Sequence, residues 1–177
     1  MKIKALCLAS LILFSSLPNL AHSARWWQPD DSDFNGGGMD LDSYRTFTDS
    51  EGYEVTSIWF RDRMDKAESV YNPNLGKKSI TSAFSLLVQI RCDTGELKLA
   101  DFIFQDRQYN DLWRVSDYPE FVEDSRRKIG EFYYPSPSSQ EAQILSLCDI
   151  KKAEDEKGFS IQDFELDEYG HVIGFKE

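Results

Sequence analysis

Histidine and cysteine are scarce in this chain, and both shortages narrow what it can do. Its 177 residues hold two histidines and three cysteines, and one of each, His22 and Cys7, lies in the first 23 positions. Those positions read as an export signal: basic "MKIK", apolar "ALCLASLILF", then the small-residue cleavage pattern "AHS". The apolar run is shorter than the roughly 20 residues a spanning helix requires, and no longer one follows, so no transmembrane segment is expected. Too little apolar sequence precedes Cys7 for a lipid-attachment site. Residues 1–23 are expected to leave as a signal peptide, giving an exported protein.

His171 is then the single histidine, which removes most routes to a histidine base or a His-rich metal centre. No phosphate-cradling glycine loop and no nucleophile-elbow motif occurs. Asp40 and Asp42 stand at i, i+2 opposite an apolar row, where a solvated strand face is expected rather than an acid–base pair. The chain reads as a non-enzyme without a cofactor. Loss of Lys2 and Lys4 takes Lys+Arg from 20 to 18 against 31 Asp+Glu, moving the net charge from −11 to −13. That field repels phosphate backbones and anionic membranes, so no nucleic-acid partner is expected, and a protein partner that is basic or carries basic patches fits it. Two cysteines remain, Cys92 and Cys148. An even pair in an oxidising compartment reads as a disulfide, and their wide spacing forbids a thioredoxin-like dithiol motif.

What the chain has in quantity is alternation. In "SAFSLLVQIRC", Phe84, Leu86, Val88, Ile90 and Cys92 share one face of a predicted strand. "RWWQ" reads as a short first strand whose alternation points one of Trp26 and Trp27 inward and the other outward, the outward one to anchor a partner or cover a sheet edge. "GMDLDSYRTF" and "YEVTSIWFRD" predict a hairpin closed by the turn cluster "TDSEG". "YNPNLGKKS" reads as a loop, and "DTGE" as a tight turn into "LKLADFIFQD". In that strand Leu97 and Leu99 fall on one face and Phe102 and Phe104 on the other, which a bulge near Ala100–Asp101 or burial of both faces would reconcile.

Helical signals come late. "SDYPEFVEDSRRKIGEF" offers Pro119 for a first turn and Gly130 for a stop. "SPSSQEAQILSLC" has Ser138 and Glu141 at capping-box spacing, with Ile144, Leu145 and Cys148 on one stripe. A Cys92–Cys148 bond would fasten this helix across the core side of the sheet. Beyond it, "KKAEDEKG" is a charged linker or a helix continuation. "FSIQDFEL" and "YGHVIGF" can close into a small hairpin within an acidic extension, 151–177.

"DSDFNG" places Asp31, Asp33, Asn35 and Gly36 at the alternating positions of a calcium loop, with Asp42 at its closing position. Pro29 and two tryptophans stand where a helix is wanted, Gly37 and Gly38 loosen the centre, and Asp42 replaces a bidentate glutamate. The spacing admits calcium; the departures favour an ordinary acidic loop and no metal.

In order along the chain, the early Trp27, "GGMDLDS", "EVTSIWF", "KKSI", "VQIRCDTGELKL" and a closing helix ending in Cys148 resemble the surface-adhesin protein E family, small exported bacterial domains. The resemblance covers about Trp27 to Cys148. It implies an α+β fold over 24–150: an antiparallel sheet of about six strands, a C-terminal helix packed on it and one disulfide. It further implies a binding protein that recognises another macromolecule at the cell surface or in the periplasm. The alternative it leaves is a periplasmic accessory or inhibitor protein with no host ligand. The lipid-attachment site and the adhesive segments of such proteins have no counterpart here, so no ligand-contact residues carry over.

Overall fold

The computed structural model describes residues 25–27, 38–118, 129–145, 147–168 and 172–175. Six strands form one antiparallel sheet in sequential order: β1 (Trp26–Trp27), β2 (Gly38–Thr48), β3 (Glu54–Asn72), β4 (Lys77–Arg91), β5 (Glu96–Gln105) and β6 (Asp111–Arg114). Two short helices follow, α1 (Gln140–Ile144) and α2 (Leu147–Lys157), then a two-stranded hairpin, β7 (Phe164–Leu166) and β8 (Val172–Phe175). This is the expected α+β architecture. The predicted signal peptide and Asp31, Asp33 and Asn35 lie outside the described residues, as does most of the helix predicted around Pro119. Its flanks form a 3-10 turn at Val115–Asp117 and a bridge between Ile129 and Leu99.

Cross-strand partners on an antiparallel sheet share a face, and the register sorts the residues accordingly. Thr56, Ile90 and Leu97 form one inner row; Ile58, Val88 and Leu99 form the next; Met39, Phe60, Leu86 and Phe102 form the third. The expected bulge is present: Leu87 pairs with Asp101 and Val88 with Leu99, leaving Ala100 unpaired. That extra residue returns Phe102 and Phe104 to the side of Leu97 and Leu99, while Asp101, Ile103 and Gln105 are buried on the other side, so the bulge and burial of both faces occur together. Ile58, Val88, Ile90 and Leu97 are fully buried, each worth about 1.5–3 kcal/mol of apolar transfer.

Two strands depart from the sequence expectation. β2 is interrupted, because four residues between Asp40 and Arg45 face the single Ile58 of β3. The bulge is held by Ser43, whose Oγ accepts the Trp59 N–H at 2.8 Å and donates to the Asp40 carbonyl at 2.7 Å. It turns Leu41 and Tyr44 inward. β3 also runs far beyond "YEVTSIWFRD". With β4 it makes a long hairpin, so most of "YNPNLGKKS" is strand and only Pro73–Gly76 turns. At the tip the amides of Asn72 and Asn74 both donate to the Leu112 carbonyl of the edge strand β6, at 3.5 and 3.0 Å.

Cys92 and Cys148 are bonded, with Cα atoms 5.3 Å apart, within the range that helix-on-sheet packing supplies. Cys148 does not end the helix, however. It is the second residue of α2, which continues through "KKAEDEK" on i, i+4 pairs, Lys151–Asp155 and Lys152–Glu156. Gly158, at φ +70°, stops it by donating to the Glu154 carbonyl. The cap of α1 is Ser139, whose Oγ accepts the Ala142 N–H at 3.3 Å, rather than Ser138. Leu147, fully buried, is the apolar residue α2 drives into the sheet. The segment after it closes the core from the side of β2: Ile161 is fully buried, and Phe164 and Leu166 pack on the same cluster.

Beside Cys92, Arg91 is 7% exposed and lies against three carboxylates: Asp49 at 2.5 Å, Glu51 at 2.8 Å and Glu96 at 3.4 Å. Asp49 also accepts the N–H groups of Glu51 and Tyr53, so a single side chain organises the β2–β3 turn and holds it to β4. Burial pushes the Asp49 carboxyl up, but the Arg91 guanidinium and the two backbone donors outweigh it and hold the group below its ordinary value. A carboxyl depressed in the folded state stabilises above its unfolded pKa of 3.8 and loses that contribution as pH falls through the lower folded value. Urea midpoints of the natural chain are therefore expected to fall between about pH 5 and about pH 2 more steeply than those of Asp49→Asn. Parallel profiles would mean that the cluster carries no linkage.

Candidate functional site

The face opposite the core is not an ordinary solvated surface. Its register places Trp26, Asp40, Trp59, Leu87 and Asp101 in one cross-strand row. The next row is Gly38, Arg61, Ser85, Ile103 and Arg114; the third is Arg63, Ala83, Gln105 and Asp111. Ser57, Ala83, Ser85 and Gln105 are buried there beneath a layer of arginine and aromatic side chains. Gln105 satisfies this level by accepting from Ser85 at 3.1 Å and donating to Asp111 at 2.8 Å.

Arg61 is the centre of the layer. Its guanidinium carbon lies 3.8 Å from the centroid of the Trp26 ring and 4.0 Å from that of Tyr109. Gly38 stands directly across from it, so no side chain fills the space between Arg61 and β1. A Cβ at Gly38 would approach the Trp27 carbonyl oxygen to 2.7 Å. Desolvation lowers the Arg61 pKa, and the neighbouring Arg63 charge acts in the same direction. The cation–π contacts offset part of that cost, at about 0.5–2 kcal/mol each. A second arginine of the row, Arg114, leans toward the other tryptophan: it is 5.5 Å from the Trp59 centroid and paired with Asp101 at 3.2 Å.

Tyr109 reaches Arg61 from the β5–β6 loop in a backbone conformation that few residues adopt. Its φ is +62°, and it is the one non-glycine residue with positive φ among the described residues. A left-handed conformation costs an aromatic residue about 1 kcal/mol or more. Asp106 holds the loop in place. Its carboxylate accepts the N–H groups of Gln108 and Asn110 and the Asn110 amide, all between 2.8 and 2.9 Å. Those bonds, the Asn110 side chain foremost, keep the Asp106 carboxyl below its ordinary value. The Tyr109 hydroxyl accepts from Arg63 Nε at 2.6 Å, so one strained ring serves two guanidinium groups.

Sequence alternation places Trp26 and Trp27 on opposite faces, as expected. Trp27 packs edge-on against Phe164 on the core side, while Trp26 covers Arg61. The arginines and Tyr109 were not singled out in the sequence, although the period-two spacing of Trp59, Arg61 and Arg63 in "WFRDR" marks them. Tyr109 gives no such signal, since its placement depends on a loop conformation.

An open groove of about 800 Å³ lies between the β2 bulge and the α2 end. It gathers Asp42, Glu154, Asp155 and Asp163, yet each is engaged. Arg25 Nε donates to Asp42 at 2.8 Å, and Lys151 meets Asp155 at 2.5 Å. Asp163 accepts the Ser160 N–H at 3.3 Å. Glu154 accepts the Tyr44 hydroxyl at 2.6 Å and the Ile161 N–H at 2.5 Å, which, after burial, raises the Tyr44 pKa further. The groove is a fastening. Asp42, the calcium candidate that can be placed, has a guanidinium beside it, the opposite of the charge-accumulating shell a cation needs. Asp40 is half-buried rather than solvated. Burial raises its pKa against the Asp42 N–H, which it accepts at 3.0 Å. Among the described residues no group of three or more His, Cys, Asp and Glu side chains is arranged to hold a metal ion, and no helix is long and apolar enough to cross a membrane.

No family model matches the sequence, and no curated protein does. Among solved structures, the crystal structure of protein E from non-typeable Haemophilus influenzae aligns with a TM-score of 0.47 and 13% identity. The alignment covers 83% of this chain and 87% of that one. The similarity is distant.

Proposed function

We propose that the protein is a non-enzymatic, exported binding domain that recognises another macromolecule through the outer face of its sheet. The observation that carries this reading is the Trp26–Arg61–Tyr109 stack with Trp59 and Arg114 beside it. Tryptophan, tyrosine and arginine are the side chains in which binding energy concentrates at protein interfaces. Here they sit in a shallow layer, on backbone strained to present one of them. The disulfide supports export, because such bonds persist in oxidising compartments. The resemblance of the sequence to surface-adhesin protein E domains points the same way, toward the cell surface or periplasm.

The test is retention of partners by the immobilised chain 24–177, comparing host matrix proteins with envelope components. A retained partner is expected to bind at least about tenfold more weakly to Trp59→Ala, with the thermal midpoint recorded as a folding control. Undiminished binding by a folded Trp59→Ala chain would remove the outer face as the site.

A further inference from the structure

Resting on the outer face being the binding surface, we infer that Arg61 is a receptor for a carboxylate carried by an acidic segment of a partner protein. Arg61 makes no hydrogen bond and no ion pair among the described residues, and its Nε is buried without a partner. The two faces of its guanidinium plane are occupied, by Trp26 at 3.8 Å and Tyr109 at 4.0 Å. What the stack and the buried Nε leave is the edge carrying the two Nη atoms, from which a guanidinium donates, in its own plane, to the paired oxygens of a carboxylate.

The surroundings fit an incoming anion. Arg63 lies close enough to Arg61 for the two charges to repel, and shares Tyr109 with it. Of the acidic groups facing them, Asp40 makes no ion pair with Arg61, although its charge acts on it, and has an oxygen turned to the Asp42 N–H. Asp101 is taken by Arg114, and Asp111, in the row of Arg63, accepts from Gln105. Among the described residues two adjacent guanidinium groups thus lack an ion pair, in a chain with 31 acidic residues against 20 basic ones. The whole-chain charge also selects the class of ligand. A long polyanion meets the repulsion of the entire surface. One or two carboxylates on a peptide, held within the roughly 10 Å over which charges act at moderate salt, meet chiefly the arginines.

The probe is a short synthetic peptide of alternating glutamate and glycine, titrated into the ¹⁵N-labelled chain 24–177. Its glutamine counterpart and a heparin fragment are the comparison arms. The glutamate peptide is expected to move the Trp26 indole and Arg61 side-chain signals saturably, with affinity of roughly millimolar order, while the glutamine peptide leaves them in place. Arg61→Lys, which keeps the charge and stem but not the planar fork, is expected to weaken this about tenfold. Arg61→Gln is expected to abolish it; if that chain fails to fold, the Arg61→Lys titration decides. No saturable shift, equal affinity in a folded Arg61→Lys chain, or a response to heparin alone would each overturn the assignment. Suppose a partner is lost in Trp59→Ala but is not displaced by the glutamate peptide. The binding face then stands and the carboxylate receptor falls.

Discussion

Replacing Cys92 and Cys148 together by serine is expected to lower the stability of the domain by about 4 kcal/mol. The bond spans 56 positions of sequence, and closing so long a loop removes a large share of the conformational freedom of the unfolded chain. Set against a net stability of about 5–15 kcal/mol for domains of this size, the loss takes about a quarter of the total or more. Urea titration of the oxidised, reduced and doubly substituted chains measures it. The last two should unfold together at lower denaturant, with a steeper slope, since an uncrosslinked unfolded chain exposes more surface. Coincident midpoints for oxidised and reduced protein would show that the crosslink stabilises nothing.

Ile161→Ala is expected to cost about 2–4 kcal/mol, which is large for a residue beyond the disulfide. Ile161 is fully buried in a 3-10 turn and belongs to the same cluster as Leu41, Tyr44 and Leu147. Its N–H is held by Glu154, which also takes the Tyr44 hydroxyl, so the segment is tied to β2 by polar and apolar contacts together. Removing residues 158–177 should cost at least as much, because Phe164 and Leu166 leave the core as well. Thermal denaturation of the two variants decides this. A truncated chain as stable as the full one would mark the segment as an appendage.

The parts of the fold that were legible in the sequence are those where burial writes an alternating pattern. β4 was readable from Phe84 to Ile90, and the phase slip in β5 located its bulge because apolar residues on both sides of Ala100 must reach one core. The turns at Asp49–Gly52 and Asp93–Gly95 were readable from glycine and aspartate chemistry. The outer half of β3 was not. Residues such as Glu68, Ser69 and Tyr71 are exposed and form strand because β4 lies beside them, a contact that no local signal encodes. The extent of the helix, open in the sequence between a linker and a continuation, was undecided for a related reason. "KKAEDEK" carries few apolar residues, and its helicity comes from i, i+4 charge pairs and the Gly158 stop. The candidate site was half legible: strand alternation gives the side on which Trp26, Arg61 and Arg63 lie, whereas the Tyr109 loop and the space at Gly38 exist only in three dimensions.

The two asparagine amides at the far end of the long hairpin have a consequence for how copies of the protein coexist. A sheet that ends in an unguarded strand is a template onto which a second molecule can dock its own backbone and then a third. Here the Leu112 carbonyl, which such a neighbour would engage, is already occupied by Asn72 and Asn74 of the same molecule. At the opposite border the outermost strand is only Trp26–Trp27, too short to nucleate a ladder. At its two outermost strands the sheet therefore offers a second backbone little to pair with.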